Sequence, residues 1–122
     1  MTKIESIRSE FVEYIPDDLE DGVLYISIPY ATAVHKCASG CGETVVTPLK
    51  PTDWSLIWNS DEISLYPSIG NWSLPCKSHY WIEKNEIIWA RKWSDAEIKR
   101  GRRKDSKRKK HYYKNTKKHN EI

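Results

Sequence analysis

The chain has little of several residue types, and each shortage excludes a class of protein. No apolar run approaches the roughly 20 residues that a membrane-spanning helix needs, and residues 1–8 have no apolar signal core. Three cysteines are too few, and an odd number, for a disulfide framework. These absences predict a cytoplasmic protein with no membrane partner, in which the thiols stay reduced.

The charge of the chain is unevenly distributed. Residues 1–90 contain 6 Lys or Arg and 13 Asp or Glu, a net charge of −7, whereas residues 91–122 contain 14 basic and 4 acidic residues, a net charge of +10. We therefore predict a compact domain over residues 1–92 and a basic tail over residues 93–122. Because so small a domain buries a limited share of its surface, a bound metal would contribute strongly to its folding.

The three cysteines are arranged in two short pairs that have metal-ligand spacing. Cys37 and Cys41 enclose three residues, and after a gap of 34 residues the sequence Cys76-Lys-Ser-His79 follows. Three thiolates and one imidazole make a closed tetrahedral set, for which zinc is the usual ion. The spacing predicts a structural zinc site whose ligands are Cys37, Cys41, Cys76 and His79.

Two other interpretations of the same residues stay open. Rieske iron-sulfur proteins also end a ligand loop in Cys-x2-His, and a two-iron cluster held by two His and two Cys would make the chain an electron carrier with His35 as a ligand. Their first pair reads Cys-x-His, however, and here the order is His35-x-Cys37. We favour His35 as an ordinary strand residue. The plainest alternative is three unrelated thiols and a surface histidine.

Short β-branched and aromatic segments alternate with turn residues through the first 90 positions. The segments predicted as strands lie within residues 4–14, 23–28, 32–36, 43–47, 54–58, 63–66, 79–83 and 86–90. This pattern predicts a mostly β fold, a small zinc-stapled antiparallel sandwich or open barrel of about seven or eight short strands. Residues 67–72 are predicted to form a loop. A capping box at residues 94–97 predicts a short C-terminal helix, and the chain from about residue 104 onward is predicted to be disordered.

Two features suggest nucleic-acid binding, and each has a simpler explanation. Six Trp and seven Tyr would suit base stacking, but most are expected to fill the core, including Trp58, Trp72, Trp81 and Trp89. The basic tail would bind nucleic acid or an acidic protein surface through its charge, or would merely aid solubility.

Catalysis is only weakly indicated. Ser68, Asn71 and Ser78 lie near the second ligand pair, but four protein ligands leave a metal no open position. If His79 faced away from the metal, a water would take its place and the chain would be a hydrolase. The closed ligand set favours a protein that is not an enzyme.

Four motifs together resemble one family of small bacterial proteins. They are His-Lys-Cys-Ala-Ser-Gly-Cys-Gly at residues 35–42, Trp-Ser-Leu at 54–56, Pro-Ser-Ile-Gly-Asn-Trp at 67–72 and Pro-Cys-Lys-Ser-His-Tyr-Trp at 75–81. Members of that family usually show Cys-x-Cys-Gly-Cys-Gly at the first site and Pro-Ser-Ile-Gly-Asn-Trp before the second. The resemblance covers about residues 10 to 90 and leaves out the basic tail.

The resemblance implies a metal-binding protein whose genes lie beside those of ubiquitin-like modifiers, ThiF-type activating enzymes and ubiquitin-conjugating-type enzymes, in operons for antiviral defence. The middle cysteine of the family is Ser39 here, which implies that this position is dispensable for the metal. The predicted function is a non-enzymatic zinc-binding accessory or adaptor. Its expected partners are the modifier or its activating and conjugating enzymes.

Overall fold

The computed structural model describes residues 3–90, 95–104 and 109. The chain divides into two compact units, Met1–Lys92 and Trp93–Ile122. In the second unit, residues 95–104 are helical. Ser94, predicted to begin that helix, and residues 105–108 and 110–122, predicted to be disordered, lie outside the described residues. No helix among the described residues is long and apolar enough to span a bilayer.

The first unit is built of eight strands, which confirms the mostly β prediction. They are β1 (Arg8–Phe11), β2 (Val23–Ser27), β3 (Thr32–Lys36), β4 (Thr44–Pro48), β5 (Ser55–Asn59), β6 (Glu62–Gly70), β7 (His79–Glu83) and β8 (Glu86–Trp89). They form two four-stranded sheets, in the orders β1-β2-β3-β4 and β5-β6-β7-β8. The described residues therefore form open sheets and not a closed barrel.

Neighbouring strands are antiparallel at every pairing except the first. β1 runs parallel to β2, with Arg8 opposite Val23 and Phe11 opposite Ile26. Parallel strands cannot be joined by a tight hairpin, and here residues 12–22 carry the chain back to the start of β2. The antiparallel prediction is thus right for five of the six pairings.

The two sheets share one hydrophobic core. Alternating apolar residues point inward from both sheets, and burial of that apolar surface is the main force that stabilises the unit. The core cluster comprises Ile7, Leu24, Ile26, Ala33, Cys37, Ala38, Val45, Ile63, Leu65, Ile69, Tyr80, Ile82 and Ile87. The core prediction is wrong for Trp58, which is 60% exposed and packs its ring 5.0 Å from that of Phe11.

β6 is longer than predicted and includes most of the expected loop. Residues 67–72 are predicted to form a loop, but β6 continues to Gly70. Its pairing with β5 ends at Tyr66, and its register against β7 shifts between Leu65 and Ile69. Pro67 therefore lies where no strand requires its missing N–H. As a consequence Ser68 belongs to a strand.

The segment that leads into β1 and includes its first residue, Arg8, is hydrogen-bonded to both sheets. The amide of Ile7 donates to the carbonyl of Asn85 in the β7–β8 turn, and the amide of Arg8 donates to the carbonyl of Gly22, just before β2. The bond lengths are 2.8 and 2.9 Å. This strap, residues 4–8, ties the edge of one sheet to the last hairpin of the other.

Candidate functional site

The β3–β4 connection carries the first cysteine pair. The amide of Cys37 donates to the Glu43 carbonyl at 2.8 Å, and the amide of Gly40 donates back to the Cys37 carbonyl at 3.1 Å. Gly40 and Gly42 have φ angles of 82° and 85°, in the left-handed region that side chains disfavour. The two glycines allow the chain to reverse tightly enough to bring Cys41 back toward Cys37.

The connection between β6 and β7 carries the third cysteine. The amide of Asn71 donates to the Ser78 carbonyl at 2.8 Å, which closes the loop at its base. Inside the loop, the amide of Lys77 donates to the Leu74 carbonyl at 3.0 Å. These bonds hold Cys76 beside the first turn, although the two turns are far apart in sequence.

The three thiols form one cluster. The sulfurs of Cys37, Cys41 and Cys76 lie within 4.8 Å of one another, and those of Cys37 and Cys76 are 3.8 Å apart. Zinc–sulfur bonds of about 2.3 Å in a tetrahedron separate two sulfurs by about 3.8 Å. The donor type and the spacing both fit a thiolate-binding metal such as zinc, so this cluster could hold a metal ion.

Two serine hydroxyls lie against the sulfurs. Ser39 Oγ is 3.1 Å from Cys37 Sγ and also contacts the thiols of Cys41 and Cys76. Ser78 Oγ is 3.2 Å from Cys37 Sγ and 3.3 Å from Cys76 Sγ. Burial raises the pKa of the Cys76 thiol, but its hydrogen bonds with these serines outweigh it and lower that pKa to about 7. The cluster therefore favours thiolate at Cys76.

His35 lies beside the cluster but makes a different contact. Its side chain is fully buried in β3, and Nε2 is 2.7 Å from the Tyr80 hydroxyl. Burial lowers the pKa of His35 to about 4, so the ring is neutral at neutral pH. The group of potential metal ligands found among the described residues does not include it. The geometry thus supports a strand residue over a ligand of an iron-sulfur cluster.

His79, predicted as the fourth ligand, pairs with a serine. Its Nε2 is 2.8 Å from Ser68 Oγ, and its ring packs against the indoles of Trp72 and Trp81, at centroid distances of 5.0 and 5.3 Å. His79 is only 7% exposed. It is not part of the three-thiol group, and its role as a metal ligand stays a prediction.

Strand register explains why this serine and histidine meet. Gly70 of β6 lies directly opposite His79 of β7, and Ser68 precedes Gly70 by two residues. Residues two apart on a strand share a face, so Ser68 is the diagonal neighbour of His79. A Cβ at Gly70 would lie 2.5 Å from the Trp72 indole, so the glycine leaves room for the ring that packs on His79.

The sequence motifs point to Ser68 as a residue near the second ligand pair, but they do not predict its contact with His79. Because residues 67–72 were predicted to form a loop, Ser68 was not placed on a strand that pairs with the strand of His79. The available signal was the placement of Ser68 and His79 in two separate motifs, each of which contains a Trp. A serine and a histidine in hydrogen-bond contact are able to act as nucleophile and general base.

Comparison with known proteins identifies a matching protein family. A family model described as "Bacterial ubiquitination-like system serine protease (BubE)" matches residues 11–90. That range contains β2 to β8, the three thiols, Ser68 and His79. No curated protein matches the chain, and no solved structure matches it.

Proposed function

The chain belongs to the BubE family of the bacterial ubiquitination-like system, and on that premise we propose that it is a serine peptidase in which Ser68 is the nucleophile and His79 the general base. The contact of 2.8 Å between Ser68 Oγ and His79 Nε2 carries the proposal. Ser68 is half-buried on β6, where a substrate reaches it, and His79 is held between two indoles. The family description, which names a serine protease, supports the same assignment.

The reaction follows from this pair. Ser68 Oγ attacks the carbonyl carbon of the scissile bond while His79 Nε2 accepts the hydroxyl proton. The imidazolium then donates that proton to the departing amine as the C–N bond breaks, which leaves an ester on Ser68. His79 next takes a proton from water as the water oxygen attacks the ester. The acid product leaves as the proton returns to Ser68 Oγ.

The proposed substrates are the ubiquitin-like modifier proteins of the same system, and the proposed setting is the bacterial cytoplasm during antiviral defence. Membership of a ubiquitination-like system supports partners of this kind. The ThiF-type activating and ubiquitin-conjugating-type enzymes predicted as partners would then act on the same modifier.

We assign the cluster of Cys37, Cys41 and Cys76 to a structural zinc ion. The ion would cross-link the two turns and so stabilise the start of β7, which lies three residues after Cys76. The predicted fourth ligand, His79, cannot serve both sites at once. An imidazole whose Nδ1 binds a metal carries its remaining proton on Nε2 and cannot accept one from Ser68.

The test is cleavage of a modifier protein by the full chain, followed by mass spectrometry. Ser68→Ala and His79→Gln are each expected to lower kcat/KM by about 10³-fold or more, as removal of either member of a serine–histidine pair does in other hydrolases. Ser55→Ala, an exposed serine of neighbouring β5, is the matched control and should cleave like wild type. Full activity in Ser68→Ala would overturn the proposal.

A second function, the non-enzymatic adaptor, is favoured by an exposed aromatic pair. The rings of Phe11 and Trp58 pack in a tilted arrangement with their centroids 5.0 Å apart, and the two residues are 45% and 60% exposed. Such amphipathic aromatic surfaces are common at the centre of protein interfaces. The test is a pull-down with the modifier and its activating and conjugating enzymes. If the chain is an adaptor, the Trp58→Ala variant should lose its partner and the Ser68→Ala variant should retain it. Retention of every partner by Trp58→Ala would contradict an adaptor that acts through this pair.

A further inference from the structure

A narrow groove lies between β4 and the end of β6. It has a volume of about 210 Å³ and is lined by residues 44–46 of β4, Trp54 and residues 69–74. None of these lining residues has an ionisable side chain. The volume is below the roughly 300–1,000 Å³ of small-molecule sites. The groove therefore suits a thin, uncharged, extended chain better than a compact ligand.

One wall of the groove presents the backbone of Gly70. The amide of Asn71 donates to the Ser78 carbonyl, which makes residues 71 and 78 a hydrogen-bonded pair of the antiparallel ladder. Such pairs alternate along a ladder, so Gly70 and His79 form a non-hydrogen-bonded pair. The N–H and C=O of Gly70 consequently point away from β7. On that side β5 does not reach Gly70, because the pairing of β5 with β6 stops at Ser55 opposite Tyr66.

The opposite wall presents the backbone of Val46. The amide of Leu49 donates to the Ala31 carbonyl and the amide of Cys37 to the Glu43 carbonyl, which fixes the hydrogen-bonded pairs of the β3–β4 ladder. By the same alternation, Val46 and Val34 form a non-hydrogen-bonded pair. β4 is the last strand of its sheet. The N–H and C=O of Val46 thus face outward, where no strand of the described part of the chain pairs with them.

We infer that the peptidase substrate binds as an added β-strand in this groove, hydrogen-bonded to the outward backbone groups of Gly70 and Val46. The inference rests on the proposed peptidase function. Unpaired strand edges are the usual template for such strand addition, in which main-chain bonds supply affinity. The occupant is the extended C-terminal tail of a ubiquitin-like modifier, because a folded body does not enter so narrow a space.

The position of the groove relative to Ser68 agrees with this assignment. Gly70 and Ser68 are two residues apart on β6, a distance of about 7 Å along a strand. Only Ile69 lies between Ser68 and Gly70 on β6, so a peptide that pairs with Gly70 also passes Ser68. Trp72 lines the groove and packs on His79, so the same indole contacts the binding site and the general base.

The first experiment measures amide hydrogen exchange in the full-length Ser68→Ala chain with and without a synthetic peptide of the modifier's C-terminal tail. The expected result is slower exchange at Gly70 and Val46 when peptide is bound. Peptide binding with unchanged exchange at both amides would overturn the inference, and so would a failure of the peptide to bind. Cleavage of the same peptide by wild type reports separately whether the proposed function holds.

The second experiment changes the groove alone. Val46→Pro removes an outward N–H that β3 does not use, and Val46→Ala is the matched control that keeps it. The loss of one hydrogen bond to substrate should raise KM about 5- to 10-fold with kcat unchanged. An unchanged KM in a Val46→Pro chain that keeps the wild-type unfolding midpoint would place the substrate elsewhere, while Ser68→Ala still tests the peptidase itself.

Discussion

At the scale of single residues, His79 decides between two sites. If it is the base of Ser68, His79→Gln should abolish cleavage and leave one zinc per chain, because the three thiols remain. If it is a zinc ligand, the same change should lower the metal content as well. Elemental analysis and a cleavage assay on one sample separate the two results, and Cys76→Ser, which removes a thiol of the cluster, is the reference for metal loss.

Ser39 offers a second prediction at this scale. Its hydroxyl contacts all three sulfurs, so a thiol placed there would lie where a fourth ligand is needed. Ser39→Cys is expected to tighten zinc binding about 10-fold or more, since a thiolate is a much stronger zinc ligand than a hydroxyl. Competition with a coloured chelator measures the change. Ser39→Ala is the control, and a Ser39→Cys chain that binds zinc no better than Ser39→Ala would contradict the prediction.

At the scale of the element, a change at Gly70 of β6 is expected to reach the proposed pair of Ser68 and His79. In Gly70→Ala the new methyl group would overlap the Trp72 indole, which must then move away from His79. We expect kcat/KM to fall about 10²-fold, the usual cost of displacing a catalytic group by about 1 Å. Ser55→Ala on β5 should have no effect. Wild-type kcat/KM in Gly70→Ala would show that the position of Trp72 does not matter to His79.

Most elements were predictable from the sequence, and the exceptions have physical causes. β2, β3 and β7 follow β-branched and aromatic runs between clear turns, and the two cysteine turns follow from their spacing and glycines. The end of β6 was missed because Pro67 normally breaks a ladder, and only the shift in register makes it tolerable. The contact of Ser68 with His79 depends on that same register, which no local pattern of residues specifies.

At the scale of the whole molecule, metal removal should destabilise the β unit. Its core is small, and the thiol cluster joins the first sheet to the second, so the free energy of binding the proposed zinc ion would largely be free energy of folding. Treatment of the full chain with a strong chelator is expected to lower the thermal midpoint by more than 10 °C, as about 3 kcal/mol of lost stability would. Circular dichroism checks this, and readdition of zinc should restore the signal. An unchanged midpoint after complete metal removal would contradict a structural role.

Nucleic-acid binding by the basic tail is a prediction that rests on charge alone. Binding of the full chain to single-stranded nucleic acid should fall steeply as salt rises, because each phosphate contact releases counterions. Truncation at Arg100 should remove that dependence, since residues 1–90 have a net charge of −7. Filter binding at several salt concentrations measures both, and equal affinity before and after truncation would exclude the tail as the binding site.

The strap of residues 4–8 has a consequence for biosynthesis. The ribosome makes these residues well before their partner Asn85 in the β7–β8 turn, which follows Ile7 by 78 positions. The sheets therefore cannot be tied together while the chain is still short, and folding awaits contacts between residues far apart in sequence, which are slow to form. Until then the nascent strands keep unpaired edges exposed, and such edges are the usual template for pairing with another copy.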